Sequence, residues 1–323
     1  MTTIRFGIIG LGDISNRFAK VLKTASGVEL VAVAARDQSR SNAFAKKYGA
    51  KHAYASYQAV IDDPEVDIIY DGLTHNFHYE WTRHCLESHK AVLCEKPFVT
   101  SQKDAEELVA LAREKKTFLM EAMWTRCMPA FQQARTWVKE GRIGEVKLIT
   151  SHFNFKADYD PKNRWFNPAL AGGSLFDVGI YPIDLATGIL NETPVEVNGT
   201  AVISETGIDA ASAIALRFGS GAVASLSCGF LADTSRNATI YGTEGRIELD
   251  KCTGPVHADL FDSRGKRQER FFKPVADGFI YQIEHSAQCL RDGRLESDMI
   301  PLADTIATAG IFDQLRRQWG LIK

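Results

Sequence analysis

Residues 4–15, Ile4-Arg5-Phe6-Gly7-Ile8-Ile9-Gly10-Leu11-Gly12-Asp13-Ile14-Ser15, decide the fold. An apolar strand runs directly into two closely spaced glycines, and a helical pattern from Arg17 to Ala25 follows. Gly10 and Gly12 permit a tight turn and a close backbone approach, Asp13 and Ile14 continue the expected cofactor-binding stretch, and the N-terminus of the helix that follows offers N–H groups to a pyrophosphate. The third motif position is Ser15, still small enough for the helix to pack on the strand. Strand before and helix after is the context this motif requires. The stretch therefore predicts a dinucleotide site opening an α/β domain, with a ligand-free structural turn as the competing reading.

Working outward, a second strand, Val28 to Ala35, ends at Arg36-Asp37, where such a fold meets the adenosine ribose. An arginine there accommodates a 2'-phosphate and an acid binds the 2'-hydroxyl. Arg36 comes first, which favours NADP(H). The alternative is NAD(H), with Asp37 on the ribose and Arg36 a solvated charge. Helix (Ser39 to Tyr48), strand (His52 to Tyr54), helix (Ser56 to Ile61) and strand (Val66 to Tyr70) continue the alternation of a doubly wound parallel sheet. The loop Gly72-Leu73-Thr74-His75-Asn76-Phe77-His78 follows at another carboxyl strand end, so Leu73, Thr74, His75 and His78 are expected to face the cofactor. The i, i+3 spacing of His75 and His78 lacks further ligands at zinc spacing, and no metal is expected.

A helix from Tyr79 to Ser88 leads to the apolar run Ala91 to Cys94 and then Glu95-Lys96-Pro97. Pro97 ends the strand, leaving Glu95 and Lys96 at the ligand-binding edge of the sheet. A lysine partly withdrawn from water beside a carboxylate is useful in proton transfer; the plain alternative is a surface lysine at a strand-to-loop turn. Thr100 or Ser101 is positioned to cap a helix from Lys103 to Lys115, and a strand, Thr117 to Met120, closes the first domain. The crossover at Trp124-Thr125-Arg126 suits a ligand pocket. Trp124 can stack on a ring and Arg126 bind oxygens, or Trp124 can be packing between domains.

The second half changes pattern. After a helix (Pro129 to Glu140), eight strands follow between Val146 and Phe272, with glycine turns, which indicates a large and mostly antiparallel sheet. Two helices, Phe279 to Asp292 and Pro301 to Trp319, close the chain. Within this half lies Gly172-Gly173-Ser174-Leu175-Phe176-Asp177-Val178-Gly179-Ile180-Tyr181-Pro182-Ile183-Asp184. Ser174 can cap a helix that carries Asp177 and Tyr181 on one face, with Pro182 expected to kink it before Asp184. The competing reading is an amphipathic tyrosine between two solvated aspartates.

At 323 residues the chain exceeds one compact core, and two domains, 1–122 and 123–323, are expected. A net charge of -2 gives no electrostatic case for nucleic acid or an acidic membrane surface. Six cysteines without C-x-x-C spacing predict reduced thiols in a cytoplasmic protein. The N-terminus passes straight into a strand without room for a signal peptide, and no apolar run has membrane-spanning length.

Taken together, Gly10-Leu11-Gly12-Asp13-Ile14-Ser15, Glu95-Lys96-Pro97 and Gly172 through Tyr181 resemble the Gfo/Idh/MocA oxidoreductase family over essentially the whole chain. Tyr181, with Trp124-Thr125-Arg126 and Asp313-Gln314-Leu315-Arg316, is most similar to its dimeric dihydrodiol dehydrogenase and glucose-fructose oxidoreductase branch. The resemblance implies an N-terminal Rossmann domain, a C-terminal α+β domain on a large open sheet, and nicotinamide bound between them. It makes Lys96 the catalytic lysine and places Asp177 and Tyr181 on the substrate-facing helix. The chain departs from the family pattern at Thr74, where proline is usual, and at Asp71, where the family is apolar. The implied reaction is hydride transfer between NADP(H) and a carbinol or carbonyl of a small polyol ring, a sugar or a trans-dihydrodiol. Tyr181 would act as general base, Lys96 would favour its ionised form, and Asp177 would orient lysine or substrate. Glu95 and the Leu73–His75 backbone would position the nicotinamide ribose, and Trp124, Arg126, Arg164 and Asp184 would hold substrate. A homodimer or higher homo-oligomer through the open sheet is expected. The rivals are a non-catalytic NADP-binding regulator of the same fold and a biliverdin-reductase-like enzyme.

Overall fold

The computed structural model describes residues 2–323, which divide into two compact units. The first contains β1 (Ile4–Ile9), α1 (Asp13–Leu22), β2 (Val28–Ala34), α2 (Gln38–Tyr48), β3 (His52–Tyr54) and α3 (Tyr57–Ile61). It continues through β4 (Ile68–Asp71), α4 (His78–Glu87), β5 (Ala91–Cys94), α5 (Gln102–Lys115) and β6 (Leu119–Glu121). Every pairing is parallel and the strand order is β3-β2-β1-β4-β5-β6. That order reverses between β1 and β4, so the turns leaving these strands flank the crevice where ligands bind an open parallel sheet. The strands read as unbroken apolar runs because helices cover both faces; Phe6, Ile8, Val33, Ile69 and Leu93 have no exposed surface.

The second unit opens with α6 (Pro129–Lys139) and β7 (Val146–Asn154), and carries α7 (Ile180–Leu190) before its remaining strands. These are β8 (Glu196–Ile203), β9 (Asp209–Arg217), β10 (Val223–Gly229), β11 (Ala238–Gly242), β12 (Gly245–Leu249), β13 (His257–Asp262) and β14 (Arg267–Phe272). They form one eight-stranded sheet ordered β14-β13-β12-β11-β7-β10-β9-β8, in which only the β7–β10 pair is parallel. Along β9 and β10 burial alternates residue by residue: Ser212, Ile214, Leu216, Ala224 and Leu226 point inward, while Ala213, Ala215, Val223 and Ser225 point out. A period of two is what a sheet with one covered face demands.

Residues 100–102 already belong to the second unit, the chain leaves the first unit again after Met123, and it later returns. Residues 279–306, including α8 (Phe279–Arg291), belong to the first unit, and α9 (Leu302–Gln318) begins there and ends in the second. The return has a physical basis in the first unit: the Arg17 guanidinium lies 3.9 Å from the Phe279 ring centroid, and Arg291 donates to the carbonyls of Thr2 and Gly27. Nothing local in the sequence marks such contacts. All six cysteines are buried and none is in a disulfide, and no helix among the described residues is long and apolar enough to cross a membrane.

Candidate active site

The first turn folds as its glycines dictate. Gly10 has φ +78, in the left-handed region, and Gly12 is an extended N-cap with no side chain to close the helix. The helix begins at Asp13, earlier than the apolar pattern suggested, and its first N–H groups are left for a ligand. Ser15 fits the third position by turning its hydroxyl onto the Gly10 carbonyl at 2.5 Å. A Cβ on Gly72 would collide with that hydroxyl, which ties the turn after β4 to the turn after β1.

In front of these turns lies a cavity of about 480 Å³, lined at its glycine end by Gly10, Gly12 and Gly72 and elsewhere by Arg36, Arg40, Tyr57 and Trp81. A Cβ built on Gly12 meets nothing within 4 Å, so the space before that backbone is open. Tyr57 and Trp81 meet edge to face with centroids 5.0 Å apart, and Tyr57 ionises less readily than usual because of burial, an effect Arg36 opposes. Two guanidiniums and two flat rings are a donor set suited to a phosphorylated adenosine. Asp37, the alternative ribose ligand, instead caps α2, accepting from Ser39 and Arg40 backbone N–H groups at 2.7 and 3.3 Å. Arg40, Tyr57 and Trp81 were not singled out from sequence. Arg40 stands four residues after Arg36, a spacing that could have revealed it.

The turn carrying Lys96 is held from several sides. Glu95 N–H donates to the Asp71 carbonyl, Lys96 N–H to the Glu95 carboxylate at 3.2 Å, and Phe98 N–H to Glu121 at 2.9 Å. His78 Nδ1 lies 2.8 Å from the Pro97 carbonyl and Nε2 lies 3.1 Å from that of Leu73. His78, expected to face the cofactor, is fully buried and bridges the two loops. Glu95, expected at the nicotinamide ribose, is 4% exposed and its carboxylate accepts the Tyr70 hydroxyl at 2.6 Å, which braces the interior behind Lys96. Burial raises its proton affinity, with the Tyr70 hydrogen bond opposing. Lys96 is half-buried at this edge, joined to Pro97 by a cis peptide. Leu73 receives the Asp71 carboxylate on its N–H at 3.1 Å, while Thr74 and His75 are half-buried.

In the second unit the helix bearing Asp177 and Tyr181 differs from expectation. Residues Leu175–Gly179 form a π-helical turn, closed by Ile180 N–H on the Leu175 carbonyl, and α7 follows directly. Pro182 has no N–H to return to Val178, and the wider turn ahead of it accommodates that loss without breaking the helix. Asp177 and Tyr181 meet different partners. Asp177 accepts from Arg164 at 2.9 Å, and the Tyr181 hydroxyl oxygen accepts from Trp124 Nε1–H at 3.2 Å. The Phe153 ring lies 5.5 Å from Tyr181, with the Arg236 guanidinium 4.8 Å from the Phe153 centroid; neither was named from sequence. Arg126 and Asp184, both expected on substrate, are almost wholly buried and paired with each other at 2.8 Å.

A doubly wound parallel sheet whose first glycine turn opens an uncapped helix onto a cavity with paired arginines defines a Rossmann-type dinucleotide-binding protein. Comparison with known proteins narrows the class. Residues 4–123 match the family model described as "Oxidoreductase family, NAD-binding Rossmann fold", and residues 131–248 match "GFO/IDH/MocA C-terminal domain". The trans-1,2-dihydrobenzene-1,2-diol dehydrogenase of Homo sapiens is 33% identical over 330 residues, covering 98% of this chain and 97% of that protein. Among solved structures, aldose-aldose oxidoreductase from Caulobacter crescentus, complexed with glycerol, superposes with TM-score 0.88 at 25% identity, covering 98% of this chain and 97% of the other. A 3-ketoreductase from Actinomadura kijaniata, in complex with NADP and TDP-benzene, gives 0.86 at 27% identity, covering 98% of both chains. The chain belongs to the Gfo/Idh/MocA family and is an NAD(P)-dependent oxidoreductase.

Asp71, which departs from the family pattern, titrates unusually. Complete burial raises its pKa from 3.8 to about 6, with His78 opposing the shift. Because the folded value lies above the unfolded one, the stabilisation from this carboxyl is fully present below about pH 4 and is lost as pH rises through about 6. Asp71→Asn keeps an acceptor but cannot ionise. Its stability, measured by urea unfolding, is expected to depend less on pH between about 4 and 6, by on the order of 3 kcal/mol. A slope equal to wild type would remove Asp71 as the source.

Proposed function

We propose that the protein transfers hydride between NADP(H) and a carbinol or carbonyl carbon of a small polyol ring, a trans-dihydrodiol or an aldose. NAD(H) is the weaker cofactor in this reading. The observation that carries it is the Tyr181 hydroxyl. Trp124 Nε1–H can only donate, so the Tyr181 oxygen is the acceptor at 3.2 Å, and an accepted hydrogen bond favours the negative charge that a general base must carry. The named activities of the dihydrodiol dehydrogenases and of the aldose-aldose oxidoreductase support the substrate class.

The bound nicotinamide supplies the hydride acceptor, and the chain supplies position and charge. Tyr181 takes the proton of the substrate hydroxyl during oxidation and returns it during reduction. Lys96 provides the cation that stabilises the developing alkoxide. Asp177, held by Arg164 at 2.9 Å, orients a substrate hydroxyl. Lys96→Met and Tyr181→Phe are each expected to lower kcat by about 10²- to 10⁴-fold while sparing cofactor affinity. Turnover of a dihydrodiol and aldose panel, followed as NADPH absorbance, is the measurement. Retained activity removes the altered residue from the mechanism.

Arg36 and Arg40 both line the adenosine end of the cavity, which supports the NADP preference. Arg36→Asp should weaken NADPH by about 10- to 100-fold and leave NADH little changed. Equal losses in fluorescence titrations would sink the assignment.

The exposed face of the large sheet carries Leu148, Val223 and Tyr241 beside the small side chains of Ala213, Ala215 and Ser225, and a second copy of the chain is the proposed cover. Sedimentation velocity should give a dimer or larger; a monomer at micromolar concentration refutes it. The six buried thiols suit a reducing compartment, the cytoplasm.

A further inference from the structure

One buried carboxylate in the second unit has no part in that chemistry. Asp209, the first residue of β9, is 4% exposed. Its Oδ2 accepts the Ser174 hydroxyl at 2.8 Å and the Leu175 backbone N–H at 2.6 Å. Ser174 stands at the head of the π-helical turn, where a serine is expected to accept from the first N–H groups. It makes no such bond and donates to Asp209 instead. The cap of this turn therefore comes from a strand 34 residues away in sequence.

The surrounding packing fixes this arrangement. Gly173 has φ +128, and a Cβ there would collide with Asp209 Oδ1. Behind the carboxylate, Cys228 Sγ lies 3.0 Å from the Ser212 hydroxyl and 3.7 Å from that of Ser174, and a Cβ on Gly179 would come within 2.7 Å of the same sulfur. Both ends of the π-helical turn thus abut one small cluster on β9 and β10. On the remaining side, the Arg316 guanidinium of α9 lies 5.0 Å from the Phe176 ring centroid.

We propose that Asp209 is a positioning residue for the oxidoreductase reaction: by clasping Ser174 and Leu175 it fixes the π-helical turn, and so sets where Asp177 and Tyr181 stand. The proposal rests on the roles assigned above to Tyr181 and Asp177. An anionic acceptor at a helix start also opposes the positive end of the backbone dipoles, so the clasp is strongest when Asp209 is ionised. Burial raises its pKa to about 6, opposed by the Ser174 and Leu175 hydrogen bonds and by Arg316. The other titratable neighbour is the Cys228 thiol, pushed up to about 12 by burial and by Asp209 itself. As pH falls through about 6 the carboxylate takes a proton and becomes a weaker acceptor, and the turn loosens.

The test uses the full chain with NADP+ and whichever diol or aldose it turns over. Asp209→Asn, similar in shape to the protonated acid, and Ser174→Ala, which deletes one donor, are measured beside Tyr181→Phe. Displacing a reacting group by about 1 Å can cost 10²-fold, so Asp209→Asn is expected to lower kcat at pH 8 by about 10- to 100-fold. KM and NADP+ affinity are expected to stay unchanged. Amide hydrogen exchange should quicken across residues 174–181, and the fall in wild-type kcat below about pH 6 should be absent from the variant. Ser174→Ala should show the same changes to a smaller degree, and decides the matter if Asp209→Asn does not fold. Wild-type kcat together with wild-type exchange in a folded variant overturns the proposal. If Tyr181→Phe keeps full turnover, the catalytic reading has failed separately, and exchange at 174–181 alone then decides: quickened rates support the clasp and unchanged rates overturn it.

Discussion

A carboxylate withdrawn from water has to be met by donors, and in this protein the donors are backbone N–H groups of the segments that carry the proposed site residues. Asp71 holds Leu73, Glu95 holds Lys96, Glu121 holds Phe98, and Asp209 holds Leu175. Leaving a buried charged group without its hydrogen bonds costs several kcal/mol, far more than a neutral pair contributes when made. The requirement acts in reverse as well. A loop that supplies the needed N–H cannot move without exposing that cost, so burial of four acids becomes rigidity at four loop positions. The raised proton affinities of Asp71, Glu95 and Asp209 are the trace of the same desolvation.

The parallel sheet of the first unit makes this economical. All its strands point the same way, so their carboxyl ends and following turns gather on one edge. There Ser15, Gly10 and Gly72 interlock, and His78 spans the carbonyls of Leu73 and Pro97. The loop after β4 is anchored by Asp71, whose carboxylate accepts the Leu73 N–H at 3.1 Å.

How much of this was legible from the chain follows from the range of the forces involved. Strand and helix alternation in the first unit, the β5 run Ala91 to Cys94, and the large antiparallel sheet are local or periodic, and were read closely. The start of α1 was placed late because its N-cap is a glycine, which carries no side-chain signal. The π-helical turn was missed because the wider repeat has no sequence period of its own, and Pro182 alone suggests a kink. Pairing hides in the same way. Arg126 and Asp184 look like ligands for oxygen and are consumed by each other across 58 residues. The return of residues 279–306 to the first unit depends on Arg17 and Arg291, whose partners lie at the other end of the chain.

Helix capping shows where the line falls. Ser174 sits where local rules place an N-cap, and those rules look only a few residues ahead. In the structure Leu175 N–H is met by Asp209 at 2.6 Å, from a strand of the same unit. A serine hydroxyl is neutral and turns freely, whereas an aspartate anchored in a strand or helix of its own brings charge from a fixed point. A cap supplied from a distant element couples the helix start to the tertiary packing of that element. Where the helix carries Asp177 and Tyr181, this coupling makes the placement of these two side chains a property of the sheet beneath them.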